Sequence, residues 1–336
     1  MPVASLGDPS DAAWDILRTE PFRSRWPASV KPPESGSSVK SAHATFVWCD
    51  RNDDGQVQPD EVQIVAGPPG SVTLDGELGL TTSTAVRYAP VGFTPKGAPR
   101  YDLARGTELA DGQRQGNPYP EGQVLAARNG WAVFTIPPKP LQACYLAGCK
   151  DGRLNWPYPE EFLGLGSSHH SKPPRHPGEV IGTTRLLGRS FLTSRIGDRK
   201  ADPIELWAIN GNYGNVFLFT TDGLLVATLF QDSRTAKPWP NEERRGFEAK
   251  DVSLDEECFF PSIQQMVDGR VYLVAGKSFS GIFEITGLDT IRRLPEQSLT
   301  ITAAHVAAAH RYLDSLPAKS IPVGAPQKKP PEKDSK

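Results

Sequence analysis

Oxygen-bearing side chains recur at alternate positions in residues 50–61, DRNDDGQVQPDE. Calcium prefers about six to eight oxygen ligands in a flexible geometry, which a short curled loop can supply. When Asp50 is taken as the first of twelve loop positions, the ligand positions fall on Asp50, Asn52, Asp54, Gln56, Gln58 and Glu61. The order matches the pattern D-x-[DN]-x-[DN]-G-x5-E at every defined position. The spacing therefore predicts a Ca²⁺ site in this loop.

The predicted ligands contribute different kinds of oxygen. The side chains at the first, third and fifth positions converge as the chain curls, and Gly55 makes the sharp turn that follows them. Gln56 offers its backbone carbonyl, Gln58 stands where a water often mediates, and Glu61 can bind with both carboxylate oxygens. Val57 is the apolar residue that would tie the loop to a core. The alternative is an acidic turn, since Asp, Asn and Gly favour turns for local reasons.

The flanks of the loop determine what kind of site it can be. The preceding residues, ATFVW, are β-branched and aromatic and predict a strand. Pro59 can begin a short exit helix over PDEVQIV, because proline is tolerated in a first helical turn. A sensor loop works by changing the angle between two helices. With a strand on one side and no second such loop in the chain, we expect a structural ion.

Turn-forming residues dominate the rest of the chain, with 31 glycines and 32 prolines among 336 residues. They favour many short strands over long helices. A strand, a turn with an x-Gly pair and a second strand recur around Gly97, Gly152, Gly223 and Gly269, and three of these pairs are Asp-Gly. Each pair predicts a two-residue hairpin loop. We therefore predict an all-β fold with β-propeller-like, repeated four-stranded blades, partial or irregular, against the alternative of unrelated hairpins in a sandwich.

Changes in composition divide the chain into four predicted parts. Residues 1–42 form an N-terminal segment and linker, and a short helix fits SDAAWDILRTE within it. Residues 43–296 form the β-propeller-like domain that contains the calcium loop. Residues 297–316 form a short C-terminal helix that Thr302 can cap and that Pro317 stops. The tail, residues 317–336, has almost no apolar side chains, and we expect it to be disordered.

The quoted segments resemble known families. The loop DRNDDGQVQPDE is similar to the EF-hand-type and dockerin-type calcium loops of extracellular bacterial proteins. With its FVWCD entry and the segments NGNYGNVFLFTTDGLLVATLF and DGRVYLVAGKSFSGIFEITGLDTIRRL, the chain also resembles large bacterial β-propeller proteins of the NHL or six-bladed type. The resemblance implies a calcium loop inserted at a strand end. It also implies that the chain, with about four blades, is part of a longer exported protein.

Two other clusters of side chains could carry chemistry. His169, His170 and His176 lie close together in SSHHSKPPRHPGEV and could hold a transition metal, although a polar loop is the alternative. Adjacent carboxylates precede CFFPS at Asp255, Glu256 and Glu257. They could serve acid–base chemistry, or they could form a solvated turn before a buried strand.

Four cysteines leave the redox compartment open. Cys144 and Cys149 could close a small disulfide loop or remain as buried thiols.

Charge and hydropathy restrict the possible partners. The net charge of −2 gives no basic surface for nucleic acid. No apolar run is long enough for a membrane span, and the N-terminus lacks the pattern of a signal peptide. We expect a calcium-stabilised binding or scaffold module that lies outside the cytoplasm and takes a carbohydrate or protein ligand. The alternative is an extracytoplasmic enzyme, a polysaccharide lyase or hydrolase, with its site in the propeller channel or loops.

Overall fold

β-Strands are the main regular secondary structure of the described chain. The computed structural model describes residues 3–37, 41–110, 122–135, 146–158, 180, 183–194, 203–211, 213–240, 245–254, 261–275, 280–295, 298 and 300–315. These residues form 21 β-strands, one α-helix and several short 3-10 segments. The chain divides into two compact units, residues 1–289 and residues 290–336. The all-β character predicted from the turn residues is therefore confirmed.

The strands of the first unit form six antiparallel sheets. The first sheet contains β1 (Ala4–Gly7), β2 (Ala44–Cys49) and β3 (Val62–Ala66). The second contains β4 (Val72–Leu74), β5 (Leu80–Thr82), β6 (Val86–Tyr88) and β9 (Thr107–Glu108), and between the last two strands β7 (Gly92–Phe93) and β8 (Pro99–Arg100) form a small hairpin. The remaining sheets contain β10 (Gln123–Ala126), β11 (Trp131–Thr135), β12 (Leu146–Lys150) and β13 (Arg153–Tyr158); β14 (Thr183–Leu186), β15 (Phe191–Leu192), β16 (Glu205–Gly211), β17 (Val216–Thr220) and β18 (Leu225–Leu229); and β19 (Ser262–Gln265), β20 (Val271–Ala275) and β21 (Gly281–Ile285).

All four predicted hairpins are present, but only one has a two-residue loop. Asp151 and Gly152, with φ of 48° and 82°, connect β12 and β13 in the manner of a type I′ turn. Gly97, Gly223 and Gly269 instead close three-residue loops. In each of these a type I turn is followed by the glycine at positive φ, which any other residue adopts only with strain.

The N-terminal segment is part of the first sheet. Residues 4–7 pair with β2 as its edge strand, and the predicted short helix is a 3-10 helix, Ala12–Arg18. Leu17, Phe22 and Trp26 are buried in the same apolar cluster as Trp48 of β2. The segment was predicted as a linker because its apolar residues follow neither helical nor strand periodicity. They are brought together by 3-10 turns and prolines instead.

Four of the sheets lie next to each other, mainly through their early strands. Strand β10 lies beside β4 and β5, β14 beside β10 and β11, and β19 beside β15. Trp156 of β13 also crosses to the neighbouring sheet, where its ring stacks on Trp207 at 6.3 Å and its Nε1 donates to the Thr221 carbonyl at 2.9 Å. Among the described residues the sheets do not close into a barrel or a propeller.

The second unit contains the predicted C-terminal helix. Helix α1 spans Ala303–Ser315, and the Thr302 hydroxyl accepts the N–H of His305 at 3.3 Å at its start. The tail predicted to be disordered, residues 317–336, lies outside the described residues. So does Cys144, whereas Cys149 is buried in β12.

Candidate metal centre

The predicted calcium loop connects the two strands of the β2–β3 hairpin. Residues 44–49 form the predicted entry strand, and all six side chains are buried. The predicted exit helix is wrong beyond its first turn. A 3-10 turn, Pro59–Glu61, leads directly into β3, because Val62 and Ile64 alternate with polar or exposed positions and their strand pairs along β2. The loop therefore begins and ends on strands, with no helix pair for a sensor to move.

Asp50 lies at the centre of the curled loop. Its side chain is buried, with 1% of the residue exposed. Its Oδ1 accepts the N–H of Asp54 at 3.1 Å, and its Oδ2 accepts the N–H of Gly55 at 2.9 Å. Asp53 and Gly55 both have positive φ, 61° and 72°. This backbone curl turns the side chains of the first, third and fifth loop positions toward one another.

Asp54 connects the middle of the loop to its end. Its Oδ1 accepts the N–H of Gln56 at 2.7 Å, and its Oδ2 accepts from Gln58 Nε2 at 2.7 Å and Asn52 Nδ2 at 3.0 Å. The hydrogen bond from the Gln56 backbone, followed by those from Gln58 and Asn52, lowers the pKa of the Asp54 carboxyl below its ordinary value. Asp54 is therefore ionised at neutral pH, as a calcium ligand must be.

Glu61 closes the loop from its last position. It is 2% exposed, and its Oε1 accepts the N–H of Arg51 at 2.7 Å. Its Oε2 accepts from Trp48 Nε1 at 3.1 Å and from the N–H of Gln58 at 3.4 Å. The Oε1 atom of Gln58 is buried and has no hydrogen-bond partner. An acceptor oxygen and two buried carboxylates thus lie within one short loop.

The donor set fits a hard cation. Asp50 and Glu61 are buried acids, and neither has an ion-pair partner among the described residues. Among the described residues, no group of three or more His, Cys, Asp or Glu side chains is arranged to hold a metal ion. The loop instead combines carboxylate, amide and carbonyl oxygens, which is the ligand mixture typical of calcium. Hydrogen bonds within the loop join Asn52, Gln56 and Gln58 to Asp54. Asp50 and Glu61 each accept backbone N–H groups of the loop.

Contacts on two sides attach the loop to the rest of the first unit. Val57 packs against the apolar cluster around Trp48, as its position in the pattern predicts. On the other side, Asp53 Oδ1 accepts from Thr94 Oγ1 at 2.8 Å, and the Asp53 carbonyl accepts from Lys96 Nζ at 3.0 Å. The turn between β7 and β8 therefore rests on the loop, and the loop conformation determines where that hairpin lies.

A separate cleft lies where four sheets meet. Its volume is about 780 Å³, and its walls come from the β4–β5 turn, the β10–β11 turn, the β14–β15 connection and the β19–β20 turn. Glu205 joins two of these walls, because it accepts from the N–H of Arg128 at 3.0 Å and from Ser190 Oγ at 2.6 Å. The sequence contains no local signal for this cleft, because its residues come together only through sheet packing. The predicted alternatives, His169, His170, His176, Asp255, Glu256 and Glu257, lie outside the described residues.

Replacing Gly55 by alanine should weaken the loop. At φ of 72° an alanine costs roughly 1 kcal/mol, so we expect a loss of about that size in the free energy of unfolding. Chemical denaturation in calcium measures it. Gly36, also at positive φ (73°) but with open space around its Cβ position, is the control for backbone strain alone. We expect only the Gly55→Ala variant to lose calcium affinity as well. Equal calcium affinity in both variants would contradict the hypothesis that the turn at Gly55 positions the calcium ligands.

Comparisons with known proteins do not assign this chain to a class of protein, so the class is argued from the fold and the site. No protein-family model matches the chain, and no curated protein matches it. Among the described residues, no helix has the length and apolar character needed to cross a membrane.

Proposed function

We propose that residues 50–61 bind one Ca²⁺ ion, and that the ion stabilises a β-propeller-like binding module. The observation that carries this proposal is the burial of Asp50 and Glu61, at 1% and 2% exposure, without an ion-pair partner in the described part of the chain. Buried charge is costly unless it is paired or coordinates a metal. Calcium would neutralise the buried carboxylates. Its proposed ligands are oxygens of Asp50, Asn52, Asp54, Gln56, Gln58 and Glu61.

The role of the ion follows from what the loop holds in place. Glu61, immediately before β3, holds the end of β2 by accepting from the Arg51 N–H and from Trp48 Nε1. Asp53 contacts the β7–β8 turn through Thr94 and Lys96. Neutralising the clustered carboxylates would fix both connections at once. The loop has strands on both sides, so ion binding has no interhelical angle to change. The proposed role is structural.

The propeller-like arrangement is supported by how the sheets follow one another. The four sheets that begin with β4, β10, β14 and β19 are each built mostly from neighbouring strands. Each contacts the next, through first strands in two cases and through β15 and β19 in the third. In a propeller, the first strand of each blade lies nearest the axis and next to the first strands of its neighbours. The contacts of β10 with β4 and of β14 with β10 follow this order.

The cleft of about 780 Å³ is the surface where this module would bind its ligand. Its volume is in the range of known small-ligand sites. Trp131 offers an aromatic ring, and Asn129 and Gln264 offer amide groups. Arg128 and Arg189 also line the cleft, where the Arg189 guanidinium donates to Gln264 Oε1 at 2.9 Å. Aromatic rings beside planar polar groups suit a carbohydrate ligand, and a peptide is the other class that could use them. We place this binding outside the cytoplasm, where free calcium is abundant.

Calorimetric titration with calcium tests the proposal directly. We expect one ion per native chain, and at least tenfold weaker binding after Glu61→Gln, because the variant loses a charged bidentate ligand. Asp60→Asn is the matched control, since Asp60 is the exposed neighbour of Glu61 and lies outside the predicted ligand positions. Its affinity should remain within a factor of about two, because exposed charges contribute little.

Three outcomes of this titration are informative. Loss of binding in Glu61→Gln with retention in Asp60→Asn supports the site. Equal weakening in both variants would indicate non-specific attraction to an acidic surface. If the native chain gives no heat of calcium binding and does not compete with a calcium-binding dye for the ion, residues 50–61 are an acidic turn and not a calcium site.

A further inference from the structure

A second groove lies beside the calcium loop, and its charge differs from that of the rest of the molecule. It has a volume of about 360 Å³, and it is lined by Arg51 from the loop and by Arg100, Tyr101 and Arg105 from the chain that follows β7. We call it the arginine groove. It brings three guanidinium groups to one face of a chain whose net charge is −2.

Two of the three guanidinium groups are not neutralised. Arg105 forms an ion pair with Asp102, with Nε and Oδ2 3.3 Å apart. Arg51 and Arg100 have no carboxylate partner among the described residues, and both are exposed. Arginine presents a planar set of donors that matches the oxygens of carboxylate, sulfate and phosphate groups. The groove therefore has spare donors of one kind and a net positive charge.

The wall that carries Arg100 is pinned to the hairpin that carries Arg51. The N–H of Tyr101 donates to Cys49 Sγ at 3.2 Å, and the Tyr101 carbonyl accepts from Gln63 Nε2 at 3.2 Å. Gln63 Oε1 then accepts the N–H of Leu103 at 3.0 Å. Cys49 ends β2 and Gln63 lies in β3, so both sides of the groove share one rigid frame.

Arg100 itself depends on a glycine in the opposite strand. Gly92 pairs with Arg100, and a Cβ at position 92 would lie 2.7 Å from Arg100 Nη2. The guanidinium therefore lies over the Gly92 backbone. An alanine there would push the guanidinium away without changing its charge, which offers a way to separate position from charge.

We propose that the arginine groove binds an oxyanion group, carboxylate, sulfate or phosphate, on a ligand of about monosaccharide size, and that calcium strengthens this binding through Arg51. The coupling rests on the proposed calcium site. The connection is short, because the Glu61 carboxylate that would clamp the ion also accepts the N–H of Arg51 at 2.7 Å. Ordering Glu61 orders the Arg51 backbone. Two ligands that stabilise the same arrangement strengthen each other equally.

Titration of the full chain with defined small molecules tests the groove. The probes are inorganic sulfate, glucuronate, glucose 6-phosphate and, as the neutral control, glucose. We expect glucuronate and glucose 6-phosphate to bind at the arginine groove, and any binding of glucose at the larger cleft to be unaffected by Arg100→Gln. Arg51→Gln and Arg100→Gln should each weaken binding of these two sugar acids about tenfold, as expected for loss of a charge-assisted hydrogen bond. Arg153→Gln, an exposed arginine of β13, should have no effect. Gly92→Ala should weaken binding although all charges remain.

Several results would overturn this assignment. Binding of glucose that Arg100→Gln weakens as much as it weakens binding of glucuronate would exclude oxyanion recognition. Binding of sulfate without the sugar acids would identify a free inorganic anion and exclude the larger ligand. Equal losses in Arg51→Gln, Arg100→Gln and Arg153→Gln would indicate attraction by overall charge. Retention of full affinity in Gly92→Ala would place the anion away from Arg100.

Titrations with and without calcium separate this inference from the proposed function. Calcium should strengthen binding of glucuronate several-fold in the native chain and not in Glu61→Gln. If calcium binds in direct titration but leaves glucuronate affinity unchanged, the coupling is overturned while the calcium site stands. If calcium does not bind at all, the proposed function and the coupling fail together. In that case the effects of Arg100→Gln and Gly92→Ala on glucuronate affinity still show whether the arginine groove binds the anion.

Discussion

Excess calcium should raise the midpoint of thermal unfolding of the native chain by about 5 °C over its value in excess chelator. At a free calcium concentration about a hundredfold above the dissociation constant, one bound ion adds about 2.7 kcal/mol to the free energy of unfolding. For a domain of this size, each kcal/mol corresponds to roughly 2 °C. The physical source is the pairing of the Asp50 and Glu61 carboxylates, which are buried without a described cationic partner.

The double variant Asp50→Ala with Glu61→Gln isolates this effect. It removes both buried charges, and with them the reason for the ion to bind. The variant will also lose the hydrogen bonds from the N–H groups of Asp54 and Gly55 to Asp50, and the glutamine at position 61 keeps only one of the two acceptor oxygens of Glu61, so the midpoint of the variant in chelator should fall. The decisive quantity is therefore the difference between calcium and chelator, measured by calorimetry or circular dichroism. That difference should vanish in the double variant and persist in Asp60→Asn. If calcium does not change the midpoint of thermal unfolding of the native chain, the proposed calcium site is contradicted.

Replacing Trp207 by alanine should lower the free energy of unfolding by about 4 kcal/mol, the usual range for a buried aromatic side chain. Trp207 of β16 is fully buried. Its ring stacks on Phe219 at 5.0 Å and on Trp156 of the neighbouring sheet at 6.3 Å. Its Nε1 donates to the Thr220 carbonyl at 2.9 Å. The substitution removes packing within one sheet and between two sheets, and it leaves the Thr220 carbonyl without this donor.

Chemical denaturation of the variant measures the loss, and Phe93→Ala is the surface control. Phe93 is 52% exposed, so its removal should cost less than about 1 kcal/mol. If Trp207→Ala cost as little as the control, the two sheets would not share a core at this position. The calcium-dependent rise in midpoint should survive in Trp207→Ala, provided the variant folds, because the loop belongs to a different apolar cluster.

Local features were predictable because their causes lie within a few residues. Gly97, Gly152, Gly223 and Gly269 mark hairpins, since a glycine at positive φ is needed where the chain reverses. The loop type was less predictable. The Asp-Gly pair is compatible with a two-residue loop and with the last residues of a three-residue loop, and the pairing register of the flanking strands decides between them. Helix α1 was predictable from its alanine content and its Thr302 cap.

The exit from the calcium loop shows where local reasoning ended. Pro59, Asp60 and Glu61 favour a helical turn, and they form one. The following residues, VQIVA, could continue the helix or form a strand. The partner strand β2 decides, because pairing with it satisfies the backbone groups and buries Val62 and Ile64. Contact with a strand of the same sheet therefore overrides the helical start.

The sequence by itself determined the spacing of the proposed calcium ligands, the reversal points of the hairpins and the β-rich character of the chain. Each of these follows from side-chain chemistry and backbone preference at neighbouring positions. Only the tertiary structure decided that Asp50 and Glu61 are buried, that the N-terminal segment completes the first sheet, and that Arg51 and Arg100 face one groove. Burial and convergence depend on residues far apart in the chain, and packing brings those residues together in ways that no local pattern records.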